Sequence, residues 1–183
     1  TALLYFMAYL NVEIKARCKD AGPVRDYLVS NGAVLKGTDQ QTDTYFKVPN
    51  GRLKLREGNI ENNLIFYERP DQAGPKQSAF QLVHIPDAAG LKKALAAATG
   101  IKVIVVKIRE IYYIGNVKFH IDEVPGLGSF VEIEAGNISA PEMDAEKLKA
   151  QCDFYLKAFG ITEKELVEVS YSDLLMKKQG VSE

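Results

Sequence analysis

Apolar and charged positions alternate over several stretches of this chain, and the alternation fixes the expected strands. In residues 11–17, Val12, Ile14 and Ala16 fall on one side of an extended segment, and Glu13, Lys15 and Arg17 on the other. The same period recurs with like charges flanking one apolar residue. Lys54 and Arg56 bracket Leu55, Lys107 and Arg109 bracket Ile108, and Glu132 and Glu134 bracket Ile133. Each such run predicts a strand with one apolar and one charged face. Runs rich in β-branched and aromatic residues add strands at 43–48, 63–69, 78–84 and 117–123. Pro49, Asn50 and Gly51 mark one tight turn, Gly115 and Asn116 another, and residues 70–77 form a surface loop.

Helical spacing appears in four places. Asp20 stands at an N-cap position ahead of Val24, Tyr27 and Leu28, and Asn31 with Gly32 ends that short helix. Residues 86–99 carry Ala and Leu at helical spacing up to Gly100. Residues 141–159 place Leu148, Cys152, Tyr155 and Phe159 on one face before Gly160. A last helix is expected over 163–178, capped by Thr162 and started by Glu163 and Glu165, as the helix dipole favours. The order is strand, helix, four strands, helix, three strands and two helices. Strands joined by short turns are antiparallel neighbours. With no interior linker, the expectation is one α+β domain over residues 1–183, its strand core at 7–135 and its C-terminal helices at 141–178.

Composition narrows the partners. Of 183 residues, 46% are hydrophobic and 26% charged, which suits a globular protein. Lys plus Arg total 23 against 24 Asp plus Glu, so the basic excess of a nucleic-acid binder is missing and no nucleic-acid partner is expected. Charge that is balanced globally and patterned locally suits an internal anion site. Cys18 and Cys152 have no spacing for a disulfide framework or a zinc site and are read as reduced thiols of a cytoplasmic protein. No apolar run is long enough for a membrane helix, and no membrane partner is expected. Thr1 to Phe6 lack the basic start of a signal peptide, and Met7 is read as the natural initiator.

Helices need apolar surface, which these strands offer opposite their charges, so the helices should cover the outside. The charged faces then meet either water on an open sheet or the lumen of a closed barrel. In a barrel the basic pairs would repel by about 4 kcal/mol each at 4 Å and an effective dielectric near 20. Carboxylates from Glu13, Asp122, Glu132 and Glu134, or a bound polyanion such as a triphosphate, would compensate.

Residues 11–17 resemble the Glu-x-Glu-x-Lys signature of the CYTH superfamily, the triphosphate tunnel metalloenzymes, which include class IV adenylyl cyclases and thiamine triphosphatases. Further segments similar to that family follow in order at 43–46, 52–57, 66–71, 107–109, 120–124 and 126–134. The resemblance implies an eight-stranded antiparallel closed β-barrel, a tunnel with helices packed outside. It implies that Lys15, Arg17, Lys54, Arg56, Lys107 and Arg109 contact phosphate oxygens, with Arg69 as a further contact. Glu13, Glu132 and Glu134 would hold Mg²⁺ or Mn²⁺, and Asp122 would sit near metal or nucleotide. One departure stands out: Asn11 occupies the place of the first signature Glu, which removes one metal-binding charge.

The implied chemistry is transfer at phosphorus, which needs cations to neutralise charge and hold the phosphates in line. Attack by a ribose hydroxyl would make cyclic AMP and pyrophosphate from ATP; attack by water would hydrolyse thiamine, nucleoside or inorganic triphosphate. The Asn11 departure also motivates a non-catalytic polyphosphate-binding module, and an open sheet would suggest protein partners. The partner expected is a triphosphate-bearing small molecule, together with a homodimeric assembly. His120 shares a strand face with Lys118 and Asp122 and could bind substrate or act as acid or base, whereas His84 reads as surface or packing. Tyr45, Tyr112 and Tyr113 read as barrel packing.

Overall fold

The computed structural model describes residues 9–68 and 71–180; Arg69 and the expected start at Met7 lie outside them. Eight strands and four helices follow the expected order. They are β1 (Tyr9–Arg17), α1 (Gly22–Ser30), β2 (Val34–Phe46), β3 (Arg52–Glu57), β4 (Asn63–Glu68), β5 (Lys76–His84), α2 (Ala88–Thr99), β6 (Ile101–Ile114), β7 (Val117–Val124), β8 (Gly128–Gly136), α3 (Ala145–Ala158) and α4 (Tyr171–Gln179). The strands close in the order β1-β5-β4-β3-β2-β6-β7-β8, with β8 returning to β1, and every pairing is antiparallel. The closed alternative is therefore the one realised, and the helices lie outside.

Alternation places side chains as the pleat requires. Val12, Ile14, Phe119, Ile121, Val131 and Ile133 face outward into a core with Val24 and Leu28 of α1 and Leu148 and Cys152 of α3. Edge-to-face contacts of Phe119 with Tyr155 (4.7 Å) and of Tyr27 with Phe159 (5.4 Å) fix the two helices over this side. A second core, built from Tyr45, Tyr67, Phe80, Val103, Val105, Phe130, Tyr171 and Met176, fills one end of the barrel. At the β6–β7 turn Gly115 takes φ +56°, which a tight hairpin needs and glycine supplies without strain.

Several boundaries differ from expectation, among them β5, which starts at Lys76 inside the expected 70–77 loop, and α2, which starts at Ala88 and not at 86. β2 begins at Val34, nine residues ahead of the predicted 43, because the polar run 36–42 is paired along β6. Helix α1 has Ala21 at its N-cap, and the Asp20 carboxylate instead accepts from the Gly22 N–H at 2.9 Å. Helix α3 starts at Ala145 with Asp144 as its cap, not at 141. The expected helix 163–178 is broken. Glu163–Glu165 form a single 3-10 turn closed by the Thr162–Glu165 capping box, and α4 begins only after Ser170. Between them Leu166 bridges to Ala16, and the Val167 N–H donates to the Lys15 carbonyl at 2.9 Å. Pairing with β1 displaces the helical hydrogen bonds there.

Candidate functional site

The inward faces of the strands enclose a cavity of roughly 820 Å³ including its mouth. Six cations, Lys15, Lys54, Arg56, Lys107, Arg109 and Lys118, line it together with five carboxylates, Glu13, Asp43, Glu61, Glu132 and Glu134. Ser170 and Tyr171, at the start of α4, also line it and close the end where Phe130 is buried. The opposite rim, where Asn11 pairs with Gly136 and Asn63 with His84, is the mouth.

Asp43 organises the first of two charge clusters. Arg56 grips its two oxygens at 2.8 and 2.9 Å, Lys107 donates at 2.7 Å and Lys54 lies at 3.4 Å. Burial alone would raise this carboxyl, yet Arg56, Lys107 and Lys54 hold it well below the usual range. Three cations on one carboxylate leave a local positive excess suited to an anion. Lys107 shows the strain of that excess: burial pushes its ammonium down to about 7 despite Asp43, and Arg56, Arg109 and Lys54 press the same way.

Glu61 reaches this cluster from the β3–β4 turn, where the Asp39 carboxylate accepts from the Ile60 and Glu61 N–H groups at 2.9 and 3.1 Å. So held, Glu61 accepts from Arg56 at 3.0 Å and from Lys118.

Glu132 organises the second cluster. Arg109 donates to it at 2.6 Å, Lys15 lies at 3.3 Å, and the His120 Nδ1 lies at 3.0 Å. Burial opposes its ionisation, but Arg109 and Lys15 keep it well below the ordinary glutamate range. Arg109 also makes a two-pronged pair with Asp122, and the Tyr171 hydroxyl donates to Asp122 at 2.7 Å. The Lys15 ammonium sits 4.0 Å above the Tyr171 ring. His120 is 1% exposed, and its Nε2 has no hydrogen-bond partner among the described residues. Burial and then Arg109 lower its pKa, which favours the neutral ring.

Toward the mouth, Glu13 and Glu134 are direct cross-strand neighbours. Such a pair of carboxylates repels unless a cation or donor intervenes. The Asn11 amide supplies one donor, at 2.7 Å from Glu134. Asn11 Oδ1 lies 2.6 Å from where a Cβ on Gly136 would be, so any larger residue there would require the Asn11 amide to shift. Among the described residues no three His, Cys, Asp or Glu groups converge closely enough to hold a metal ion alone. Two hard oxygen donors from the protein nonetheless suit Mg²⁺ or Mn²⁺, which take further ligands from phosphate and water.

Lys15, Lys54, Arg56, Lys107, Arg109, Glu13, Glu132 and Glu134 thus share one cavity, with His120 and Asp122 packed directly behind them. Arg17 stands apart. It donates to the Leu127 carbonyl at 3.1 Å and lies 5.1 Å from the Phe130 ring, beyond the plugged end. Sequence reasoning missed Asp43, Glu61, Lys118 and Tyr171 as cavity residues. Lys118 carried a signal in its alternation with Phe119 and its place beside His120; Glu61 carried none, since it arrives from a turn. Tyr45 lines the cavity with its ring 5.6 Å from Lys54, whereas Tyr112 packs under the helices.

The family model of the CYTH domain matches residues 10–169. A Methanocaldococcus jannaschii protein provisionally named an adenylate cyclase is 27% identical over 176 residues, covering 90% of this chain and 98% of that one. Among solved structures, a Pyrococcus horikoshii protein superposes with TM-score 0.77 at 22% identity, covering 90% of this chain and 98% of its own. A Hippeastrum protein, provisionally named an adenylyl cyclase and described as having a dominant triphosphatase activity, gives TM-score 0.61 at 15% identity, covering 96% and 97%. The two structures share the fold.

Proposed function

This chain belongs to the CYTH domain family, and from that premise we propose that it is a divalent-metal-dependent enzyme that acts on a triphosphate held in the barrel, cyclising ATP to cyclic AMP and pyrophosphate. The observation that carries the reading is the convergence of six cations and five carboxylates, from strands far apart in sequence, on one enclosed cavity. Lys54, Arg56 and Lys107, three cations on the single carboxylate of Asp43, are the natural seat for the leaving phosphates. Arg109 and Lys15 would stand by the reacting phosphorus, with Asp122, which accepts from the Tyr171 hydroxyl, holding the Arg109 guanidinium in place.

Glu13 and Glu134 would hold the divalent cation, with Glu132 within the same lining. Bound there, it would polarise a phosphate oxygen and acidify the attacking hydroxyl. In the cyclisation the 3′-oxygen would bond to the α-phosphorus, giving up its proton to water at the open mouth, as the bond to pyrophosphate breaks. Arg56 and Lys107 neutralise the charge that builds on the departing group.

A second reading is hydrolysis of the triphosphate. It is favoured by the cavity opening to solvent near Glu13 and Glu134, where water can enter, and by the activity ascribed to the Hippeastrum protein. Incubation with ATP and Mg²⁺ or Mn²⁺, followed by chromatography, separates the two: cyclic AMP with pyrophosphate supports cyclisation, ADP with phosphate supports hydrolysis. Failure to turn over ATP, thiamine triphosphate and inorganic triphosphate would sink both.

A further inference from the structure

The outside of the barrel is not covered all the way round. On β6, Lys107 and Arg109 point into the lumen, so Ile104, Val106 and Ile108 point out. These three apolar side chains are 44%, 53% and 45% exposed. A strand face that meets water ordinarily carries polar residues. Helix α2 is bare in the same way. Apart from Lys92 and Lys93 it carries no charge, yet none of its residues is buried, and Ala94, Ala97 and Ala98 are exposed. A helix apolar on most sides ordinarily lies within a core.

The two features are neighbours. Helix α2 ends at Gly100 and the chain turns directly into β6 at Ile101. Lys92 donates to Glu57 at 2.7 Å, and Glu57, Thr42 and Val106 stand side by side on β3, β2 and β6. Helix α2 therefore flanks the β6 stripe on one side, at the height of Val106. On the other side Glu123 of β7 pairs with Ile108. Lys93 on the first flank and Glu123 on the second are both exposed.

We propose that this face is a homodimer interface, in which α2 of each copy lies over the Ile104, Val106 and Ile108 stripe of the other. A two-fold axis along β6 carries the α2 flank of one copy onto the β7 flank of the second. Lys93 of each copy then meets Glu123 of the other, opposite charges at the rim of an uncharged centre. The patch is thus its own complement in shape and in charge, which points to a second copy of this chain as its occupant. Its size also fits. The three β6 side chains and the exposed alanines of α2 present on the order of 400 Å² of mostly apolar surface, close to the roughly 450 Å² of apolar area on one side of a standard interface. The inference is independent of the triphosphate reading, and its test needs no substrate.

Sedimentation equilibrium from about 1 to 100 μM reads the assembly directly. Wild type should approach twice the 20.3 kDa of one chain as concentration rises. Val106→Glu sets a charge at the centre of the patch and should raise the dissociation constant at least about tenfold. Val106 is exposed in the single chain, so the fold survives the change, and a circular dichroism spectrum matching wild type checks this. Lys93→Glu and Glu123→Lys should each weaken the dimer, and the two together should restore it. A wild type that stays a single chain throughout would overturn the interface and leave the face to a different protein. A dimer that Val106→Glu leaves as tight as before, or a double reversal no tighter than the single ones, would overturn it equally.

Discussion

Lys107 is fully buried, and its ammonium shares Asp43 with Arg56 and Lys54. In the unfolded chain it titrates near 10.5, and in the folded protein burial has brought it to about 7. Between those values the folded chain carries fewer protons than the unfolded one, so this group makes stability rise with pH across that window. Below the folded value its charge is held at full cost. A polyanion in the lumen favours the charged form, so binding should take up a proton above about pH 7, and affinity should fall toward pH 9. Titration calorimetry in two buffers of different ionisation heat reads the uptake directly. Lys107→Met should keep or raise the melting temperature while weakening triphosphate binding by roughly tenfold. Asn11 gives the second test at this scale. Asn11→Glu would replace a donor to Glu134 with a third carboxylate beside Glu13. Without Mg²⁺ the variant should be less stable by about 1–2 kcal/mol, and Mg²⁺ should raise its melting temperature more than it raises that of wild type.

The elements differ in how deeply each is anchored. Helix α3 buries Leu148 and Cys152 completely, whereas α2 has no buried residue. Leu148→Ala should therefore cost about 3 kcal/mol in urea unfolding, and Leu95→Ala on α2 under about 1 kcal/mol. The segment from Leu166 into α4 is tied down by polar groups: Lys76 to two carbonyls, Val167 to the Lys15 carbonyl, and Tyr171 to Asp122. Lys76→Met should destabilise by about 2 kcal/mol and speed amide exchange chiefly over 166–179. This segment also marks where sequence periodicity misled. Glu163, Glu165 and Leu166 look like the start of one helix, but the partners that interrupt it lie on β1, some 150 positions away in the chain. Helices α1 and α3 were legible because their own apolar stripes decide their packing.

At the scale of the whole barrel, period-two alternation carried far: Glu13, Lys15, Lys54, Arg56, Lys107, Arg109, Glu132 and Glu134 all line the cavity as parity requires. Parity says which way a side chain points but not how far along the axis it lies. Arg17 has the right parity and falls past the Phe130 plug. Nor does it say which charges pair, so the roles of Asp43 and Glu61 emerged only in three dimensions. The plug has a kinetic corollary. With Ser170 and Tyr171 across one end, the hollow is a cul-de-sac, and whatever settles deepest must back out past its own sibling fragment. On the proposed cyclisation, arrival and departure share one doorway, so the two products should leave in order: in steady-state kinetics the one released last should compete with substrate and the other should inhibit noncompetitively, and competition by both would argue against ordered release.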